Sequence, residues 1–384
     1  MSEHASSPPC GRLALEDATV LRGRAFGAKA VRLGEAVFNT SLTGYQETLT
    51  DPSYTGQIIV MTAPQIGNTG CTPEDDESRR MFASGLVVRD LSPRVSSWRA
   101  SESLPQRLAR EGVPGVSDLD TRALTLRLRD KGCLRAAICT DASVSDEQLV
   151  EMARAWPGLD GADLTGEVTC DKPYAWDEPT SPSWQLAADP AVARSRVVVL
   201  DFGVKRNILR RLVSMGCEVT VVPATTTASE VLALRPDGIV LSNGPGDPGA
   251  LDDIVHTAHA LIAAEIPLLG ICLGHQILGR ALGARTYRLK FGHHGGNQPV
   301  RHVQTAHVEI SAHNHNFAVD AATLPDGVRV SHVNLNDGCC EGFEHSVLPI
   351  ISIQYHPEAA PGPHDADPIF TRFTSAMQTT RVRA

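Results

Sequence analysis

The stretch Ile266–Gln276, IPLLGICLGHQ, constrains this chain more than any other. An apolar run, Ile266–Leu269, enters Gly270-Ile271-Cys272-Leu273-Gly274 and passes into a helix-like segment, His275–Leu282. That order predicts a strand, a sharp turn and a helix, with a thiol at the corner and a glycine two positions to either side. A nucleophile elbow has this form: the turn holds the nucleophile in a strained backbone conformation, and the glycines let neighbouring chain and substrate approach. The unpaired amides and dipole at the helix start favour an anion there and can hold an oxyanion.

The surroundings of the elbow have the same texture. Val197–Asp201 is a short β-branched run, the mark of a strand buried on both faces. Lys205–Met215 carries apolar residues at 208, 209, 212, 213 and 215, a helical stripe that stops at Gly216. Strands are expected at Cys217–Val222, Gly238–Leu241 and Pro267–Cys272, with helices at Ser229–Leu234 and Ile254–Ala264. This alternation predicts an α/β fold with a doubly wound, mostly parallel sheet, whose ligands sit at the carboxyl ends of the strands. Two loops occupy those ends, Ser242–Pro248 (SNGPGDP) and the Cys272 elbow. Further on, strands are expected at Thr286–Leu289, Val308–Ser311, Val328–Asn334 and Ile350–Gln354, and a closing helix at Pro368–Met377.

The first part of the chain reads differently. Strand starts near Arg12–Val20 and strands at Val31–Thr40, Ile58–Thr62 and Leu86–Arg89 are bounded by Gly, Pro, Asn and Asp. Helices are expected at Ser103–Glu111 and at Asp120–Lys131, where Leu124, Leu126 and Leu128 mix the two periods. An N-terminal mixed α+β or mainly β domain over 11–155 follows. Its segment from Asn39 to Tyr54 is too polar for a core strand and reads as a surface loop. Residues 156–193 are rich in Pro, Gly and Asp and read as a linker, partly tied down by Trp156, Trp176 and Trp184. The second domain spans 194–380, and residues 1–10 read as a tail.

Composition excludes several functions. With 384 residues, 42% hydrophobic and 21% charged, the chain can bury two cores. A formal net charge of −9 leaves no basic footprint for nucleic acid or anionic lipid. No apolar run is long enough to span a membrane, and the N-terminus has no secretory pattern. Nine scattered cysteines without a CxxC pair favour reduced thiols and a cytoplasmic location.

A cysteine nucleophile needs a base, and the base an orienting group. His356 and Glu358 follow the expected strand Ile350–Gln354, and a spacing of two puts their side chains on one side. Glycines in the Ser242–Pro248 loop bring amides within reach of a carbonyl, so Gly246 N–H and Leu273 N–H form a candidate two-donor oxyanion hole. His293-His294 and His313/His315 lack Cys or carboxylate partners at short fixed spacing, and no metal site is expected.

GICLGHQ, SNGPGDP and the terminal HPE resemble the class I (triad) glutamine amidotransferases. DFGVKRNILRRL (201–212), KFGHHGGNQPV (290–300), NHNFAVD (314–320), PEAAPGPHDADPIF (357–370), FNTSLTGYQETLTDPSYTGQ (38–57) and GLVVRDLS (85–92) narrow the likeness to the small, glutamine-hydrolysing subunits of carbamoyl-phosphate synthetase. It spans nearly the whole chain. The resemblance implies a Cys272-His356-Glu358 triad that forms a glutamyl thioester and releases ammonia. It implies glutamine contacts from Ser53, Gly244, Gly246, Leu273, Gln276, Asn314, Asn316 and Phe317, with Ser53 reaching in from the first domain and lifting the 39–54 segment out of the loop reading. It further implies a tunnel to a large partner subunit, which holds ATP and Mg and makes carbamoyl phosphate from bicarbonate for arginine and pyrimidine synthesis. No cofactor is implied on this chain, and no P-loop or ATP-grasp sequence is present. One position departs: the family usually has Gly where Asn316 stands. At positive φ, Asn would be the next most tolerated residue, and its side chain could crowd the glutamine.

Three alternatives compete with this expectation. Another amidotransferase, of anthranilate or GMP synthesis, is disfavoured by the N-terminal domain and FGHHGGN. A non-catalytic scaffold would be expected to have lost the nucleophile. A hydrolase of γ-glutamyl peptides would turn over without a partner.

Overall fold

A computed structural model describes residues 10–181 and 194–383. The expected tail, apart from Cys10, and the stretch of linker around Trp184 lie outside the described residues. The chain divides into two compact units, Met1–Asp160 and Gly161–Ala384.

The first unit is built on a closed barrel. Its strands run in the order Cys10–Leu15, Val20–Gly27, Pro114–Ser117, Gly85–Val87, Gln57–Met61, Val31–Asn39 and Leu134–Cys139, the last pairing back to the first. LALEDATVL is therefore two strands and not one: the chain reverses between them, with Ala18 in the left-handed region at φ 70°. The ambiguous leucines resolve as a helix, Thr121–Lys131, with Leu124 and Leu128 buried one turn apart and Leu126 exposed. Asp120 caps it by accepting the Ala123 amide.

The polar segment after Asn39 is not a surface loop. It forms a helix, Tyr45–Thr50, and a 3-10 turn, Pro52–Tyr54, nearly all buried. Burying polar groups is tolerable only when each finds a partner. Gln46 donates to Thr72 O (2.5 Å) and Asp76 Oδ1 (2.6 Å) and accepts the Thr72 amide (2.9 Å). Thr50 donates to Gln46 O and accepts the Glu77 amide.

The second unit is a ten-stranded sheet. At its heart Cys217–Pro223, Ser195–Asp201, Gly238–Leu241, Leu268–Ile271 and Ile350–Ile353 are all parallel. Successive residues of Ser195–Asp201 serve different cores. Val197 and Val199 pack with Ile208, Leu212, Phe370 and Phe373, whereas Val198 and Leu200 pack with Ile254, Leu261, Ile277 and Leu278. Helices thus cover both faces, which is why the central strands are continuously apolar.

Beyond Ile350–Ile353 the sheet turns antiparallel through Cys340–His345, Val328–Asn334, Thr286–His302 and Val308–Val319. The last two run well past the expected Thr286–Leu289 and Val308–Ser311. Their extra residues, GHHGGN and AHNHN, have no apolar alternation, so strand periodicity does not reveal them. Part of the stretch read as a linker is paired into the second unit. Tyr174–Trp176 adds an antiparallel edge strand, and the Cys170 amide donates to Asp201 Oδ2.

Candidate active site

The elbow forms as expected. Leu268–Ile271 ends at Cys272, whose backbone sits at φ 54°, ψ −104°, and the helix Leu273–Ala281 begins at the next residue. A non-glycine residue pays for that conformation in strain, so the surroundings must hold it. The Cys272 amide donates to Ile353 O (2.9 Å), and the Gly274 amide to Ser242 O (3.0 Å). The flanking glycines are required by space. A Cβ on Gly274 would stand 2.1 Å from Leu241 O, and one on Gly270 2.6 Å from Leu278 Cδ1.

Ile353 pairs with Ile271 at the end of the neighbouring parallel strand, which carries the chain on to His356 beside the elbow. His356 Nδ1 is 2.7 Å from Glu358 Oε1, and the His356 amide donates to Ala312 O (2.8 Å). The two side chains are buried. Burial lowers the imidazole pKa, but the Glu358 carboxylate and the Cys272 thiol together outweigh it, and the net shift is upward. Glu358 moves the other way: burial would raise it, and Lys205 and His356 hold it below the ordinary carboxylate value.

Lys205 was not among the expected site residues. It caps the start of the helix Arg206–Ser214 at the carboxyl end of Ser195–Asp201. Its Nζ lies 3.0 Å from Glu358 Oε1 and donates to Ala359 O (2.7 Å). Asn207 Nδ2 also donates to Glu358 O. The available signal was a lysine directly after a buried strand's end, where α/β sheets place ligands.

The expected substrate residues fall into groups. Cys272 Sγ is 3.5 Å from Asn314 O. Gln276 Nε2 donates to Phe317 O (2.7 Å) and Gln354 Oε1 (3.0 Å). Gly244 packs against the elbow helix, since a Cβ there would meet Phe202 O at 2.1 Å and Leu273 Cδ2 at 2.9 Å. Gly246 has φ 95°, and a Cβ on it would meet Ala162 O at 2.6 Å. Leu273 opens its helix, where an amide has no intrahelical acceptor.

Asn316 lies in the extended strand Val308–Val319 and is not at positive φ, so asparagine there carries no left-handed strain. Its Oδ1 is 3.0 Å from His294 Nε2, as Asn314 Oδ1 is from His294 Nδ1. Ser53 belongs to the first unit, where its amide donates to Asp51 Oδ1 (2.9 Å). A buried thiol on a strained turn, a carboxylate-bound imidazole and helix-start amides can together carry out acyl transfer.

Two family models match the chain. One, glutamine amidotransferase class-I, matches residues 198–376. The other, the CPSase domain of the carbamoyl-phosphate synthase small chain, matches residues 13–138. The carbamoyl phosphate synthase small chain of Thioalkalivibrio sulfidiphilus is 51% identical over 375 residues, covering 97% of this chain and 98% of that one. The Pseudomonas aeruginosa protein of the same description is 50% identical over 375 residues, covering 96% and 98%. A chloroplastic relative from Oryza sativa subsp. japonica is 51% identical over 371 residues, covering 97% and 83%.

Proposed function

Since the chain belongs to the family of carbamoyl-phosphate synthase small chains, whose glutaminase component it is, we propose that Cys272, His356 and Glu358 hydrolyse glutamine within it. Cys272 Sγ, whose proton His356 holds, attacks the carboxamide carbon. His356 returns that proton to the leaving nitrogen, which departs as ammonia and leaves a glutamyl thioester. Water, deprotonated by His356, then adds to the thioester, releasing glutamate and restoring the thiol. The oxygen that gains charge at each step is met by the amides of Leu273 and Gly246. Glu358, anchored by Lys205, fixes the imidazole orientation.

The observation that carries this reading is the Cys272 backbone at φ 54° beside a His356–Glu358 contact of 2.7 Å. Gly244, Gln276, Asn314, Asn316 and Phe317 serve as the glutamine-holding residues by family resemblance. The large partner subunit receives the ammonia through a tunnel and holds ATP and Mg, making carbamoyl phosphate for arginine and pyrimidine synthesis. A cytoplasmic location is supported by nine scattered cysteines without a CxxC pair. Among the described residues no helix is long and apolar enough to cross a membrane.

The test compares carbamoyl phosphate formation from glutamine and from ammonium salt by the chain with its large partner, for wild type and Cys272→Ser. The variant is expected to lose the glutamine-driven reaction and keep the ammonia-driven one. Equal glutamine activity in the two would remove Cys272 as nucleophile.

A further inference from the structure

Behind the strand that carries Asn314 and Asn316, three histidines and a carboxylate converge. His293 comes from Thr286–His302, His313 and His315 from Val308–Val319, and Glu341 from Cys340–His345; all four are buried. One ligand atom from each lies within 4.8 Å of all the others. Strand pairing makes the cluster: His293 is opposite His315, and the spacing of two puts His313 on the same face as His315. The expectation of no metal site rests on short-range spacing, which does not register ligands assembled from three strands.

We propose that His293, His313, His315 and Glu341 form a closed, structural site for a divalent transition ion of the zinc class, clasping these three strands together.

The geometry suits such an ion. Ligand atoms about 2.0–2.2 Å from a tetrahedral zinc stand roughly 3.3–3.6 Å from one another. Here His313 Nδ1 is 3.2 Å from His315 Nε2, and His293 Nδ1 is 3.3 Å from Glu341 Oε1. Glu341 Oε2 is 3.6 Å from His313 Nδ1 and 4.0 Å from His315 Nε2.

The outward atoms are already occupied as metal-bound histidines require, each turning its second ring nitrogen to an oxygen that fixes the tautomer. His293 Nε2 is 3.0 Å from Asp337 Oδ2, and His315 Nδ1 is 2.9 Å from Phe317 O. His313 Nε2 is 2.8 Å from Ser311 Oγ, whose own proton goes to Gln298 O. These partners assign protons to the outer nitrogens of His313 and His315, so their inner nitrogens present lone pairs to each other and to Glu341. Glu341 Oε2 accepts no hydrogen bond among the described residues, although it is buried. A buried carboxylate oxygen with no donor is costly, and a cation satisfies it.

Burial and the neighbouring imidazoles hold His313 and His315 well below the ordinary imidazole value, towards the neutral, ligating form, while burial raises the Glu341 carboxyl. All four ligands come from protein, so no coordination position is left open for catalysis.

The chain is to be produced with its large partner in cobalt-supplemented medium, and cobalt per complex measured with its absorption spectrum. Wild type is expected to carry one more cobalt per small chain than Glu341→Gln or His313→Gln, with tetrahedral ligand-field bands and no thiolate charge transfer. Asp337→Asn, which removes only the outer partner of His293, should weaken binding about 10- to 100-fold. Asp337 is partly exposed, so this variant tests the site even if the buried ones fail to fold. Equal cobalt in wild type and variants, or a thiolate spectrum that the substitutions leave unchanged, would overturn the proposal.

Discussion

Lys205 Nζ lies 3.0 Å from Glu358 Oε1 with both side chains sealed from water. Glu358 also holds His356 at 2.7 Å, so one buried carboxylate stands between two cationic groups. Breaking such a pair leaves a buried charge partly uncompensated, which costs about 3–5 kcal/mol. Lys205→Met should therefore lower the unfolding free energy by that order, read as a fall in the urea midpoint at unchanged m. Glu358 is held below its ordinary value of 4.5, so its stabilisation is present above 4.5 and is lost as pH falls through the depressed folded value. Without Lys205 that loss should begin at higher pH. An unchanged midpoint and acid limb in Lys205→Met would separate the lysine from this network.

His356 gives the opposite sign. Its folded pKa is raised, so its stabilisation is complete below the unfolded value of 6.5 and disappears as pH rises through the folded value, about 10. The stability gap between wild type and His356→Asn, measured by denaturant unfolding, should narrow from pH 6.5 towards 10. Glutamine-driven synthesis by the variant should fall about 10²- to 10⁴-fold, the usual worth of a general base. The ammonia-driven reaction should persist. A gap that widens with pH would mean that the histidine is neutral in the folded state.

The parts of the site legible in the sequence are those made by neighbours in the chain. Gly270, Cys272 and Gly274 define the elbow within five residues, and His356 and Glu358 share a side by strand period alone. Lys205 escaped because its partners, Glu358 and Ala359, lie 153 and 154 positions away in sequence, across strands brought together by the sheet. The polar segment at Tyr45–Tyr54 was misleading for a different reason. Hydropathy assigns Gln46, Thr48 and Thr50 to solvent, and only hydrogen bonds to Thr72, Asp76 and Glu77 make their burial affordable. The histidine cluster combines both effects, being polar, buried and assembled from distant strands.

Gln276 links the elbow helix to the substrate side of the sheet. Its side chain donates to Phe317 O and Gln354 Oε1, all within a buried region. Gln276→Ala leaves both acceptors without that donor, a cost of about 1–3 kcal/mol. The same change frees Phe317 to shift, so KM for glutamine should rise more than kcat falls. A variant with normal KM and reduced stability would restrict Gln276 to a structural role.

Gly274 and Gly166 both lie in helices, and helix propensity alone predicts that alanine stabilises each by roughly 0.5–1 kcal/mol. At exposed Gly166 nothing lies within 4 Å of an added Cβ, so Gly166→Ala should follow propensity. At Gly274 the added Cβ would meet the Leu241 carbonyl oxygen at 2.1 Å, a backbone atom that cannot turn aside. Overpacking of about 1–3 kcal/mol or more outweighs the propensity gain, and the displacement falls on Cys272 two residues away. Gly274→Ala should therefore lower both the urea midpoint and glutamine-driven synthesis, while Gly166→Ala leaves the latter unchanged. If both variants gained stability, close backbone packing would not be what sets the glycine after the nucleophile.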